Sequence, residues 1–349
     1  MIGVSRLAAA FALASLGLLG GCQRVPEPDR KPPTAVLLMA GRQIPFVRDM
    51  ARGFGYGVTE IGGVEIAQIG PESDDSMQQL RNFQRYRDGE HGSVAFFTLA
   101  PELFADSLHQ AAEAGTPLMA LHSLPSVGSG VGLYVGPDNT ALGTRLAAAV
   151  ARRIPDAATG VVVIGSPSPG VEVLDDRVAG VRAEMERLRP DLTVIGPFDT
   201  KQDVEGNLRA WTVLQKANPG AVAYIGVAGQ DSLSLAKLRR PGIARTDGAM
   251  GIGDLALEEA RQGGLVLAST EPFLIGWLAG VVQARSSRYG TPLPEGWLET
   301  PTVIVDEANA SEIIARQQTE QSRLDWFRRQ GREMADHTDE HLRPLDEAS

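Results

Sequence analysis

Two histidines four residues apart, with a glutamate between them, stand in His337-Thr338-Asp339-Glu340-His341. This is the H-x-x-E-H spacing with which one class of zinc peptidases holds its metal and activates a water. On one helix face such a pair could bind a cation. The motif lies in a charged tail ending at Ser349, with no apolar run beside it to build a dry pocket, so the residues favour adventitious metal binding over hydrolysis. The glycine-rich Gly128-Ser129-Gly130-Val131-Gly132 lacks the phosphate-loop lysine and the dinucleotide-fingerprint spacing, and reads as a loop before a strand. Asn309-Ala310-Ser311 has glycosylation spacing, a pattern short enough to arise by chance. No nucleophile and base are spaced for covalent chemistry, so the sequence predicts no enzyme, no cofactor and no resident metal.

Other residues suit binding rather than catalysis. Arg177 offers a rigid fork of donors and is read at the N-terminal end of a helix, where a negative group is favoured. On its own residues it reads more readily as a surface arginine paired with Asp175 or Asp176. Asp247 sits before Gly248, after the strand-like Gly242 to Ala244, and suits either a turn cap or a contact to hydroxyl or amine donors. His122 ends an apolar run, where hydrogen-bonded structure is commoner than metal ligation. Gln230 and Asp231 follow another such run, and capping is the reading for Asp231.

At the amino end, Arg6 precedes an uncharged run from Leu7 to Leu19 and then Gly20-Gly21-Cys22, the order of a secretory signal peptide. The run is shorter than the ~20 residues a helix needs to span a bilayer. Leu19-Gly20-Gly21-Cys22 resembles the lipobox of bacterial lipoproteins, which would make Cys22 a lipidated anchor. The alternative is an ordinary export signal with an incidental cysteine. Cys22 is the chain's one cysteine, which excludes an internal disulfide framework. Residues 23–33 carry four prolines and little to bury, as an extended tether would. With 43 Asp and Glu against 33 Lys and Arg, the chain has no electrostatic footprint for nucleic acid.

These candidates need a scaffold, and the patterning supplies one. Apolar runs at Ala35–Ala40, Val64–Ile69, Val94–Leu99, Pro117–Leu121, Val161–Gly165, Leu192–Ile195, Ala221–Gly226 and Leu265–Ala268 alternate with amphipathic stretches. Continuous apolar runs fit parallel strands covered on both faces. Leu174, Val178, Val181, Met185 and Leu188 would share one helix face, as would Leu142, Leu146, Val150 and Ile154 behind the cap-type residues Asp138 and Asn139. Two series of such units, divided near Gly136, predict two similar lobes whose facing strand ends would form a cleft.

In that order the landmarks resemble the type I periplasmic substrate-binding proteins, the ribose- and galactose-binding group above all, from Thr34 to Asp306. Ile44-Pro45-Phe46-Val47 resembles the family's Asn-Pro-Phe-Phe. Val135-Gly136-Pro137-Asp138-Asn139 resembles its exit from the first lobe, Arg177-Val178-Ala179-Gly180-Val181 its Arg-x-x-Gly-Phe, and Thr246-Asp247-Gly248 its Phe-Asp-Gly. Leu267 to Gly276 resembles a crossing at which Thr270 would be a polar contact.

The resemblance implies an α/β fold of two doubly wound parallel-sheet lobes joined by three crossings, near Pro137, Thr270 and Leu298 to Pro301. It divides the chain into a signal (1–21), a tether (22–33), an N-terminal lobe (34–137 and 271–300), a C-terminal lobe (138–270 and 301–306) and a polar helical extension (307–349), read as a helix packed on a lobe. It makes Phe46, His122, Ser123, Arg177, Gln230, Asp247 and Thr270 candidate ligand contacts. It implies an exported protein that delivers a small polar, sugar-like ligand to the permease of an ABC importer. A sensor reporting to a membrane receptor or kinase is the alternative, and a secreted metal-dependent hydrolase the more distant one. The departures are His122-Ser123 where the family carries Asp-Arg, Ile44 and Val47 in the first loop, and the absence of the aromatic that the resemblance leads one to expect near Thr200.

Overall fold

A computed structural model describes residues 31–86, 92–240, 242 and 245–348. The signal, the tether and Cys22 lie outside the described residues. From Thr34 the chain builds β1 (Thr34–Leu38), α1 (Pro45–Ile61), β2 (Glu65–Ile69), α2 (Ser76–Phe83), β3 (Gly92–Phe96), α3 (Pro101–Glu113), β4 (Leu118–Leu121) and β5 (Leu133–Gly136). It then crosses into α4 (Asn139–Ala151), β6 (Val161–Ser166), α5 (Glu172–Leu188), β7 (Thr193–Asp199), α6 (Val204–Ala217), β8 (Ala223–Gly226), α7 (Gly229–Leu238), β9 (Asp247–Met250), α8 (Asp254–Arg261) and β10 (Leu265–Ser269). It returns through α9 (Pro272–Tyr289) and β11 (Gly296–Glu299), crosses again to β12 (Val303–Val305) and α10 (Ala310–Gln317), and ends in α11 (Glu320–Asp336) and β13 (Leu342–Arg343).

Two sheets result, ordered β13-β11-β5-β4-β3-β1-β2 and β12-β10-β9-β8-β6-β7. All pairs are parallel except β13 on β11 and β12 on β10. The local signals are conventional: Asp138, Asp75 and Asp203 cap α4, α2 and α6 by accepting from backbone N–H groups, and Pro45, Pro101 and Pro272 open α1, α3 and α9, where a missing N–H costs nothing.

Each lobe is closed by one helix pair that only glycine permits. A Cβ on Gly53 would stand 2.0 Å from the Phe273 carbonyl oxygen, and one on Gly276 1.9 Å from that of Met50, so α1 and α9 touch backbone to backbone. In the second lobe a Cβ on Gly143 would meet the Arg177 carbonyl oxygen at 2.2 Å and one on Gly180 that of Thr140 at 2.1 Å, which docks α4 on α5. The second contact holds the α5 backbone at Arg177 in place.

The eight strands expected from the apolar runs all form, whereas Gly242, read as strand-like, lies in a turn. β9, β11, β12 and β13 were not read from the sequence, because none of them is a continuous apolar run of four residues, and β5 was read only as the strand that follows the glycine-rich loop. Leu188 departs from its expected face and is exposed at the end of α5. The carboxyl extension is not one helix on one lobe. α10 packs on α8 of the second lobe and α11 on α9 of the first, and β13 extends the first sheet, so the chain crosses between lobes a fourth time at Gln318-Thr319.

Candidate functional site

The carboxyl ends of β1, β3 and β4 face those of β6, β8 and β10, and the candidate residues meet between them. Phe46, the second residue of α1, lies beyond β1. Its ring meets Phe97 edge-on at 5.3 Å and lies against His122 at 5.2 Å. His122 follows β4 with a φ of 64°, a left-handed conformation that histidine adopts more readily than most residues. Its backbone carbonyl accepts from the Tyr134 hydroxyl at 3.2 Å. Ser123 donates to the Thr98 carbonyl at 2.8 Å, tying the β4 end to the β3 end.

Arg177 reaches this cluster from the other lobe. It is buried, and its Nε donates to Asn139 Oδ1 at 2.9 Å, its Nη1 to the Val227 carbonyl at 3.1 Å and its Nη2 to His122 Nε2 at 3.3 Å. The last bond bridges the lobes. A guanidinium can only donate, so Nε2 must accept and the ring proton sits on Nδ1. That atom is buried and no acceptor among the described residues reaches it. Burial, then the Arg177 charge, holds the His122 pKa well below the usual histidine value, so the ring is neutral. Burial brings Arg177 down to about 10, against the opposing pull of Tyr134 and Asp176, and leaves it charged.

Two expectations about Arg177 and Asp247 need correction. Arg177 is not in the first turn of its helix but five residues past its start at Glu172, so the helix dipole contributes little there. Its position comes from the α4 contact and from Asn139 instead. Asp247 does not end a strand. It opens β9 opposite Leu265, the first residue of β10, at the amino edge of the sheet and away from the cleft. Its carboxylate accepts from the Tyr224 N–H at 2.9 Å and Arg245 Nε at 2.7 Å, and burial raises its pKa against the Arg245 charge. The carboxyl end of β9 comes at Met250, where Gly251-Ile252-Gly253 turns into α8. Residues 243 and 244, read as the preceding strand, lie outside the described residues.

Thr270 and Gln230 border the cleft ends of β10 and β8 and are partly exposed. Asp231 is a cap, as its neighbours predict, and more. Its Oδ2 accepts from the Ala228 N–H at 3.1 Å, while Oδ1 accepts from Thr200, Asn207 and Trp211 at 2.7, 2.9 and 2.8 Å. The cleft ends of β7 and β8 are thereby pinned together. His337 and His341 do not share an α-helical face, because α11 ends at Asp336 and a 3-10 turn follows. Among the described residues no group of three metal-ligating side chains could hold a cation.

Asn139 and the Val227 carbonyl were missed as site groups. For Asn139 a signal existed: a helix start uses one capping side chain, Asp138 supplies it, and Asn139 has no such local role. The Val227 carbonyl carries no side-chain signature.

The gap between the lobes is about 20 Å³, lined by Thr98, Leu99 and Ser123 on one side and Asn139, Glu172 and Asp176 on the other. That is room for about one water, so a sugar-sized ligand requires the lobes to part. Asp176 is pushed up to about 6, chiefly by burial and then by Glu172 and Asp175. The folded protein therefore holds this proton more tightly than the unfolded chain, and the associated stability, complete below about pH 4, is lost as pH rises towards about 6. In Asp176→Asn that loss should vanish: its melting temperature relative to wild type should climb between pH 4 and 6 and level off above. Parallel profiles across thermal melts would contradict the assignment.

Facing strand ends, crossing segments between two doubly wound sheets, and polar groups converging from both lobes define a cleft-type α/β ligand-binding protein. The chain belongs to the periplasmic binding protein domain family, whose model matches residues 35–267. Fructose import binding protein FruE of Bifidobacterium longum is 23% identical over 186 residues, which cover 51% of this chain and 55% of that protein; the match spans just over half of that curated relative. A glucose-galactose binding protein, GanP of Geobacillus stearothermophilus, superimposes with a TM-score of 0.71 at 16% identity over 80% of this chain and 99% of its own. An ABC transporter solute binding protein from Agrobacterium vitis, with bound D-fucose, gives 0.72 at 16% identity over 81% and 98%. At these identities the structures establish a shared fold. Among the described residues, no helix is long and apolar enough to cross a membrane.

Proposed function

We propose that this protein captures a small polar, sugar-like ligand between its lobes outside the cytoplasm and delivers it to the permease of an ABC importer. The observation that carries the reading is the inter-lobe bond from Arg177 to His122, flanked by Phe46 and Ser123 at facing strand ends. It combines a rigid multi-donor fork, a neutral imidazole and an apolar ring face, groups suited to hydroxyls and a ring of carbons. Ligand entry replaces the His122 contact with contacts to the ligand, and hinge motion opens and closes the site. The sugars named with the relatives, fructose, glucose, galactose and D-fucose, are the first candidates. Thermal shift across these, with nucleosides and amino acids as alternatives, tests it. A ligand at a hundredfold its dissociation constant adds ~2.7 kcal/mol; no shift with any sugar would remove the sugar reading.

On this reading Cys22 anchors the protein to the membrane through lipid, since each buried methylene contributes about 0.8 kcal/mol and the tether offers nothing else to insert. Cys22→Ser should move the exported protein from the membrane fraction to the soluble one. Retention in the membrane would refute the anchor.

A further inference from the structure

We infer that the carboxyl extension is a hinge tie, which sets the angle between the lobes independently of any ligand. Three observations combine. The first is the crossing itself. α10 is sealed into the second lobe by Ala310 and Ile313, which join the core around Leu257 and Leu265, while α11 is sealed into the first by Leu324, Phe327 and Ala335. Only Gln318 and Thr319 separate the two helices, so their ends can part by at most ~11 Å of fully extended chain. The crossing is further shortened because Ser322 Oγ donates to the Arg316 carbonyl at 3.1 Å and Thr319 caps α11.

The second is an ion pair across the hinge. Glu271 stands where the chain returns to the first lobe, in a left-handed conformation with a φ of 53°. Its carboxylate receives Arg316 Nη1 and Nη2 at 2.6 and 2.9 Å, with both side chains at least 94% buried. The Arg316 guanidinium carbon lies over the rings of Trp326 and Phe327, 5.4 and 5.0 Å from their centroids, and Phe327 stacks on Phe273 at 5.0 Å. Rotation of one lobe against the other shears this pair and separates two buried charges, which is strongly unfavourable.

The third is the anchoring on the first lobe. Arg323 pairs with Asp49 at 2.7 Å, and Arg328 and Arg332 both pair with Glu60 at 2.9 Å. β13 then adds to the sheet edge at β11. α11 is thus fastened along α1 and α9, and opening cannot be absorbed by its lifting away.

The test is small-angle scattering with amide exchange on the ligand-free full chain and two variants. One inserts Gly-Ser-Gly-Ser between Gln318 and Thr319, lengthening the crossing without unpairing a charge. The other is Glu271→Gln combined with Arg316→Met. Both should scatter with a larger radius of gyration than wild type, and amide exchange in the gap-lining segments around Leu99 and Leu124 should speed by about tenfold or more. If the double variant fails to fold, the insertion decides. Scattering and exchange unchanged by the insertion overturn the tie. Because no ligand is used, that result leaves the sugar reading untouched, and failure of the sugar screen leaves the tie untouched.

Discussion

Arg177→Ala should weaken binding of the captured ligand by ten- to more than a hundredfold, the equivalent of about 1.5–3 kcal/mol for a charged hydrogen-bonding group removed from a buried contact. The side chain is fixed before any ligand arrives. Asn139 and the Val227 carbonyl hold two of its nitrogens, and the close α4 contact at Gly143 holds its backbone. Such preorganisation lowers the entropy cost of binding. Only the bond to His122 crosses the cleft, so the His122-facing Nη2 is the group to be handed to the ligand. Calorimetric titration of wild type and Arg177→Ala with the sugar found by thermal shift measures the effect. Asp247→Ala is the contrasting variant. Its carboxylate lies at the amino edge of the sheet beside Arg245 and Arg239, so its loss should lower stability and leave affinity within a factor of about two. Equal affinities for wild type and Arg177→Ala would take Arg177 out of the site.

Asp231→Ala should cost about 4 kcal/mol or more of folding stability, in the range reached only when a buried network is broken. Four donors converge on this carboxylate, three of them on one oxygen. Removing it leaves the Trp211 indole, the Thr200 hydroxyl, the Asn207 amide and the Ala228 N–H buried without their acceptor, and each such group costs about 1–3 kcal/mol unless water replaces it. Burial raises the Asp231 pKa against the combined pull of those donors. Asp231→Asn keeps an acceptor oxygen and should recover part of the loss. Urea unfolding of the three proteins gives the comparison; a loss under about 1 kcal/mol in Asp231→Ala would mean that the network relaxes around the gap.

The architecture and part of the candidate site are legible in the pattern of residues along the chain. Parallel strands announce themselves as apolar runs, most clearly where they are buried, so β1, β3, β4, β6, β8 and β10 and the two edge strands β2 and β7 were legible, and with them the strand ends at which Phe46, His122, Ser123 and Gln230 stand. The cap at Asp138 was legible because capping is a contact between near neighbours in the chain. What the tertiary structure alone decided involves groups distant in sequence or carrying no side-chain signal. β9 begins at Asp247, because Asp-Gly-Ala-Met is not a continuous apolar run and the position of such a strand is set by the neighbours it pairs with. Arg177 finds His122 across 55 residues of chain, a contact that exists only once two separate sheets face each other. The extension reads as a charged helix because its apolar residues are few. Its passage from one lobe to the other depends on where Arg316 meets Glu271, 45 residues away, and no local pattern encodes that distance.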